Sequence, residues 1–296
     1  MSVAHLAQPG ILEPIPAQGR YLSCQLRVGA EPQTVLRRLG SQADGLSTVV
    51  ALGASLVREL GAEIPGLKTF CGIDGALIKL PATPTDLLVW LRGTDRGHLL
   101  IRSRHIETLL APAFDVTDIT DAFNHDNGRD LTGYEDGTEN PEGEKALAVA
   151  FLPESAGLLA GSSFVAVQRW RHHMSRFEAM PREQQDHTVG RERDSNEEID
   201  DAPESAHVKR TAQENFEPEA FVLRRSMPWA KGNEGGLVFT AFGHSFDAFE
   251  AQLRRMSGAE DGITDALYTF TEPETGAYFW CPPVKEGLID LRAVGV

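Results

Sequence analysis

Ser163-Phe164-Val165-Ala166-Val167-Gln168-Arg169-Trp170 is a run of apolar and β-branched side chains that predicts a strand, and the stretch from Arg176 to Gln184 after it reads as a short helix interrupted near Pro181. The same order stands earlier in the chain. Tyr21 to Val28 alternates well enough for a strand and leads into a helical stretch from Pro32 to Leu39. Asp86 to Arg92 reads as another strand, and Asp95 to Leu110 carries apolar residues at helical spacing. Further on, Phe221–Met227 and Leu237–Phe242 read as strands of a hairpin joined across Lys231-Gly232-Asn233-Glu234-Gly235-Gly236, whose residues tolerate positive φ. Phe246, Phe249, Leu253 and Met256 then recur at helical spacing behind a predicted N-cap, Ser245. The expected class is α+β, two βαβ-like halves with mainly antiparallel sheets, divided into residues 1–145 and 146–296.

Between Phe114 and Pro141 the sequence turns polar and glycine-rich and reads as one long loop, with Asn127-Gly128, Gly133 and Asp136-Gly137 as turn signals. Composition narrows what the chain does. With 296 residues, 41% hydrophobic and 24% charged, it is an ordinary globular chain long enough for a large core. A net charge of −15 repels phosphate backbones and anionic membrane surfaces, which argues against nucleic acid and membrane partners. No apolar run approaches the roughly 20 residues of a membrane span. Cys24, Cys71 and Cys281 are widely separated and form no CxxC pair, which fits a reducing compartment, and the lack of CxxCH excludes ordinary covalent haem attachment. Met1 to Gln18 shows no export signal, so a cytoplasmic location is expected.

Three motifs carry chemistry. Gly133-Tyr134-Glu135-Asp136-Gly137-Thr138-Glu139-Asn140-Pro141 sets a carboxylate among glycines that let backbone approach a flat ligand closely, although Asp-Gly alone is a common surface turn. His207, in Ser205-Ala206-His207-Val208-Lys209-Arg210, offers an imidazole ligand beside cations, although one histidine of nine is more often structural. Leu223-Arg224-Arg225-Ser226-Met227-Pro228-Trp229 puts two arginines on a predicted strand, so that at most one faces a pocket.

In their order and spacing these motifs, with the segment from Val189-Gly190-Arg191 through Asp200-Asp201-Ala202-Pro203 to His207, resemble the dye-decolourising peroxidase family and its cytoplasmic bacterial B/P-type branch. The resemblance runs from Pro9-Gly10-Ile11 to Tyr278-Phe279-Trp280. It implies two ferredoxin-like halves with antiparallel sheets and peripheral helices, a dimeric α+β barrel-like fold, with non-covalent haem b, one per chain, in the second half. By that resemblance His207 corresponds to the proximal iron ligand, Asp136 to the distal carboxylate and Arg224 to the distal arginine. Gly137 and Thr138 stand in the same motif as candidate cofactor contacts, and Arg191 and Arg210 are candidate propionate contacts. Tyr134 stands where phenylalanine is more usual and adds a hydroxyl.

The implied activity is reduction of hydrogen peroxide with one-electron oxidation of dyes, phenols or other small reductants. A base moves a proton between the peroxide oxygens and a cation stabilises developing charge, which assigns Asp136 and Arg224 one task each. Asp265, in Thr264-Asp265-Ala266-Leu267, is a candidate partner for the second nitrogen of His207, and reads equally as a helix N-terminal carboxylate. Trp229 and Tyr278 are placed as core aromatics rather than electron relays. The rival readings are a porphyrin-handling protein without peroxide turnover, a non-haem metal site built from His172, His173 and His187, and an interaction module without chemistry. Homo-oligomers are implied by the resemblance, whereas Leu288 to Val296 shows no apolar docking tail of the kind that would support encapsulation in a protein shell.

Overall fold

The computed structural model describes residues 3–296. Its first half runs α1 (Pro9–Leu12), β1 (Gln18–Leu26), α2 (Gln33–Gly40), β2 (Thr48–Gly53), α3 (Ala54–Glu59), β3 (Leu87–Gly93), α4 (Arg96–Leu110) and β4 (Phe114–Phe123). The second continues with α5 (Gly143–Ala150), β5 (Ser163–His172), α6 (Met174–Glu178), α7 (Arg182–Val189), α8 (His207–Thr211), β6 (Leu223–Arg224), β7 (Met227–Lys231), β8 (Glu234–Gly243), α9 (Asp247–Met256), β9 (Thr271–Pro273) and β10 (Ala277–Cys281). The first half pairs in the order β4-β1-β3-β2 and the second in the order β10-β5-β8-β7. Both are the antiparallel βαββαβ arrangement of a ferredoxin-like unit, so the predicted α+β class holds.

The units do not form separate sheets. β2 pairs with β10 (Leu52 opposite Trp280) and β4 pairs with β7 (Ala122 opposite Trp229), which closes eight strands into a barrel. Side-chain alternation then sorts the core. Tyr21, Ala51, Trp90, Ala122, Val165, Met227, Val238 and Phe279, one from each barrel strand, belong to a single buried cluster and therefore face inward. Their neighbours Leu22, Val50, Leu52, Val89 and Leu91 join Leu36, Leu39, Leu99 and Ile106 of α2 and α4 in the cluster outside the barrel. Strand β2 is buried along its whole length because it is covered on both faces.

Several boundaries differ from the sequence reading. The first ten residues of the expected loop 114–141 form β4; Asp115, Asp118 and Asp121 pair with Arg27, Arg169 and Arg20, and these acidic residues hide the strand in a composition-based reading. The expected hairpin is present, but its turn contracts to Gly232-Asn233. Glu234–Gly236 are strand, while Phe221 and Val222 lie outside one. β6 and β7 share one register against β8, with Arg225 N–H still donating to Thr240 O at 2.8 Å between them. Ser245 is not the N-cap of α9; that position is Phe246, and Ser245 Oγ accepts from Asp247 N at 3.2 Å. Pro181, which lacks an amide hydrogen, separates two helices rather than kinking one. β1 begins and ends earlier than Tyr21–Val28. Among the described residues no helix is long and apolar enough to cross a membrane.

Candidate active site

On the outer face of the second unit, helices α8 and α9 stand off the sheet, and a cavity of about 640 Å³ lies between. Gln168, Trp170 and His172 reach it from β5, Leu237 and Phe239 from β8, and Phe249, Leu253 and Met256 from α9. These positions alternate with the barrel-facing Val165, Val167 and Val238, so one strand serves two compartments. The cavity is also lined by His207, Asp136 and Arg224, brought together from three separate motifs. Gly137, Thr138 and Arg191 line an adjoining depression that shares those three residues.

His207 opens α8, and its Nδ1 lies 2.7 Å from Asp265 Oδ2. Asp265 is buried and sits before the short 3-10 helix Ala266–Thr269, where its Oδ1 accepts from Leu267 N at 2.8 Å. Its own N–H donates to Met256 O at 2.8 Å, and Ala266 N–H donates to Ser205 O at 2.7 Å. Both readings of Asp265 thus describe the same residue: one oxygen caps a helix and the other faces the imidazole. With a carboxylate on Nδ1, that nitrogen is the donor and Nε2 keeps its lone pair.

Across the cavity, Asp136 Oδ1 lies 3.9 Å from Arg224 Nη1, and both side chains are mostly shielded from solvent. Arg224 Nε is buried and without a hydrogen-bond partner. Arg225 takes the opposite face of the strand, donating to Ile11 O and Leu12 O at 2.9 and 2.7 Å. The segment carrying Asp136 is held by groups the sequence reading did not single out. Asn140 Oδ1 accepts from Arg224 N at 2.7 Å while its Nδ2 donates to Arg224 O at 3.1 Å, a ladder rung made by a side chain. Gly137 has φ 77°, and a Cβ there would meet Asn140 Nδ2 at 2.7 Å, so both conformation and space require glycine. Arg129 donates to Gly133 O and Arg193 O at 2.6 and 2.9 Å. Tyr134 Oη, the added hydroxyl, donates to Asp186, which also accepts from Arg182 Nε and Arg193 N.

His172 ties the same segment to β5: its Nε2 lies 3.0 Å from Asp130 Oδ1 and its Nδ1 2.7 Å from Thr271 Oγ1. Burial pushes the Asp130 carboxyl up, but the charge and hydrogen bond of His172 and the bonds from Thr132 outweigh it and leave it below the usual carboxylate range. His173 instead meets Glu272 at 3.2 Å, and His187 lines a different depression, so these three histidines do not converge. Among the described residues no group of three or more His, Cys, Asp or Glu is arranged to hold a metal ion.

Other candidates separate clearly. Arg191 donates to Asn196 O, Glu139 and Glu198 at the edge of the depression. Arg210 is buried in a fork with Asp261 and Arg255 O, each at 2.7 Å, and lines neither the cavity nor its depression. Thr138 Oγ1 accepts from Asn196 Nδ2 at 3.3 Å. Trp229 lies in the barrel with Nε1 on Trp170 O, and Tyr278 stacks on Phe246 with its hydroxyl on Glu250, both as core aromatics. The apolar walls, Trp170, Phe239, Phe249, Leu253, Met256 and Leu267, went unassigned in the sequence. The available signals are the alternation Gln168, Trp170, His172 on the face opposite Val165 and Val167 and the helical spacing of Phe249, Leu253 and Met256.

Residues 127–286 match the family model described as Dyp-type peroxidase, C-terminal. That span includes every one of the three motifs. The chain belongs to the dye-decolourising peroxidase family. It is 30% identical over 291 residues to the dye-decolorizing peroxidase of Brevibacterium linens, covering 92% of this chain and 79% of that protein. Its structure is similar to that of the dye-decolorizing protein from V. cholerae, with TM-score 0.83 and 28% identity over 95% of this chain and 97% of the other. It is equally similar, at TM-score 0.83 and 25% identity with the same coverage, to a Rhodococcus jostii RHA1 DypB variant in complex with heme. The family's fold is therefore the fold described above, with the closed antiparallel barrel at its centre.

Proposed function

We propose that the chain is a haem-dependent peroxidase that reduces hydrogen peroxide and oxidises dyes, phenols or other small reductants, with His207 as iron ligand and Asp136 and Arg224 as the groups that handle peroxide. The observation that carries this reading is the convergence of those three side chains on one largely apolar cavity. The residues fit a porphyrin. Trp170, Phe239, Phe249, Leu253, Met256 and Leu267 supply walls for a flat apolar ring, and the buried, orphaned Nε–H of Arg224 calls for an acceptor. His207 Nε2 is the ring nitrogen left for iron once Asp265 holds Nδ1.

Haem b, held by His207, would supply the one-electron redox chemistry that couples reduction of peroxide to oxidation of the reductants. Asp265 orients the imidazole and raises its basicity through the bond to Nδ1. Asp136 accepts a proton from one peroxide oxygen and returns it to the departing one, while the Arg224 guanidinium stabilises negative charge on that oxygen. The separation of 3.9 Å leaves each group free to turn toward a ligand. Gly137, Thr138 and Arg191 are assigned to the cofactor's polar edge, supported by their place in the adjoining depression. We also propose a cytoplasmic location, supported by three free cysteines, and a homo-oligomer, which rests on the family resemblance. The two proposed units are residues 1–145 and 146–296, and their junction falls inside α5.

The test is titration of the purified protein with haem, followed by dye oxidation on addition of peroxide. Wild type is expected to bind one equivalent and turn over dye, and His207→Ala to lose haem on gel filtration, read from the ratio of porphyrin to protein absorbance. Haem bound without turnover would transfer the chain to the porphyrin-handling reading, and failure to bind haem would overturn both.

A further inference from the structure

Helix α8 is a single turn, too short to hold its own geometry in water, and its N-cap, Ala206, offers no side-chain acceptor. The direction of the His207 ring is therefore set by what α8 is tied to. Beside it runs the loop from Ser257 to Asp265, which is closed on itself. Asp265 N–H donates to Met256 O at 2.8 Å, Ser257 and Thr264 pair as a bridge, and Gly262 N–H donates to Gly258 O at 2.9 Å.

This loop presents two carboxylates to the helix. Asp265 takes His207 at one end of α8, and Asp261 takes Arg210 at the other. Arg210 is 5% exposed and grips Asp261 as a fork, Nη1 to Oδ2 and Nη2 to Oδ1 at 2.7 Å each. Its Nη2 also donates to Arg255 O at 2.7 Å in the last turn of α9, where a cation suits the helix dipole. Asp261 Oδ1 accepts from Ile263 N at 3.0 Å as well, and the Arg210 fork holds that carboxyl below the usual carboxylate range. A one-turn helix tied at one point can swing about it, whereas tied at both ends to the same closed loop it cannot. Arg210 lines neither the cavity nor its depression, so whatever it does for the site it does through α8.

We propose that Arg210 is a positioning residue for the iron ligand: the Arg210–Asp261 fork and the His207–Asp265 bond brace α8 at two points and fix the direction of His207 Nε2. The inference rests on the proposed role of His207. The test uses haem-loaded protein and two readings, haem transfer to apomyoglobin and the iron–imidazole stretch of the reduced protein by resonance Raman. In Arg210→Met haem loss should be about tenfold faster, the effect of one charge-assisted hydrogen bond passed on to His207, and the stretch should broaden and move. Asp261→Asn should act in the same direction, and because the two side chains form one contact, the double variant should lose haem no faster than the quicker single one. Glu260→Gln breaks the neighbouring pair with Arg255 on the same loop and should leave both readings as in wild type. Wild-type haem loss with an unmoved stretch in Arg210→Met and Asp261→Asn, effects of the two that simply add, or an equal effect in Glu260→Gln would each sink the brace alone. A wild type that binds haem but shows no iron–imidazole stretch would overturn the His207 reading together with the brace. Should Arg210→Met not fold, Asp261→Asn, whose side chain is partly exposed, decides by the same readings.

Discussion

On the His207 side of the cavity a side chain is fixed by another side chain, whereas on the Asp136 side the side chains stand apart and the backbone is fixed. Nδ1 of His207 meets a fully buried carboxylate at 2.7 Å, and that carboxylate is itself anchored by Leu267 N. Asp136 and Arg224 approach only to 3.9 Å, while Asn140, Arg129, Tyr134 and the His172–Asp130 pair hold the segment around them. The contrast suits the proposed roles. A metal ligand is set once and gains from a rigid partner, but groups that must trade a proton with a small molecule need space between them and a fixed platform beneath.

The comparison breaks most visibly at Asp136. Asp136→Asn keeps size and platform but removes the base, and the second-order rate constant with peroxide should drop about 10²–10⁴-fold while haem stays bound. Stopped-flow absorbance measures the rate and the porphyrin spectrum measures retention. A rate near wild type would move the proton transfer to another group and leave the openness of this side unexplained.

The unequal legibility of the two sides follows from the same difference. His207, Asp136 and Arg224 can be singled out because their motifs are local, and the alternation in Ser163–Trp170 places β5 and the ferredoxin-like plan. Closure of the barrel was not readable from periodicity, since it rests on Leu52–Trp280 and Ala122–Trp229, pairings between distant strands. β4 is hidden because its three aspartates, ion-paired to Arg20, Arg27 and Arg169, give it a composition that reads as loop. Asn140 and His172 were missed as supports because their partners are a backbone 84 residues on and a carboxylate 42 residues back. The bond of Arg210 to Asp261, 51 residues away, is hidden for a related reason.

Asp265 tests the rigid side. Asp265→Asn preserves the cap to Leu267 and the shape of the pocket but weakens the bond to Nδ1 from charged to neutral. Haem affinity is expected to fall about 10–100-fold, the usual loss on removing a partner of a metal-bound histidine, and haem transfer to apomyoglobin measures it. The peroxide rate of protein that still holds haem should change less than in Asp136→Asn. The reverse ranking would mean that the His207 side controls the reaction with peroxide and not only retention.

The smallest effect belongs to Tyr134, whose hydroxyl is one of three donors to Asp186. Burial pushes the Asp186 carboxyl up, yet Tyr134, Arg182 and Arg193 together bring it below the usual carboxylate range, as His172 and Thr132 do for Asp130. A carboxylate depressed in the folded state contributes stability that is fully present above its unfolded pKa and lost as pH falls through the folded one. The platform under Asp136 therefore persists at neutral and mildly acid pH and loosens only below about pH 4. In Tyr134→Phe the ring still packs edge-on against Phe177 and under Arg193, and Asp186 keeps its other donors. The expected cost is about 0.5–1.5 kcal/mol in chemical denaturation, with the acid transition moved to higher pH because Asp186 is less depressed. An acid transition that stays in place would show that Arg182 and Arg193 alone hold Asp186, and would shift the support of the Asp136 side to Asn140 and the His172–Asp130 pair.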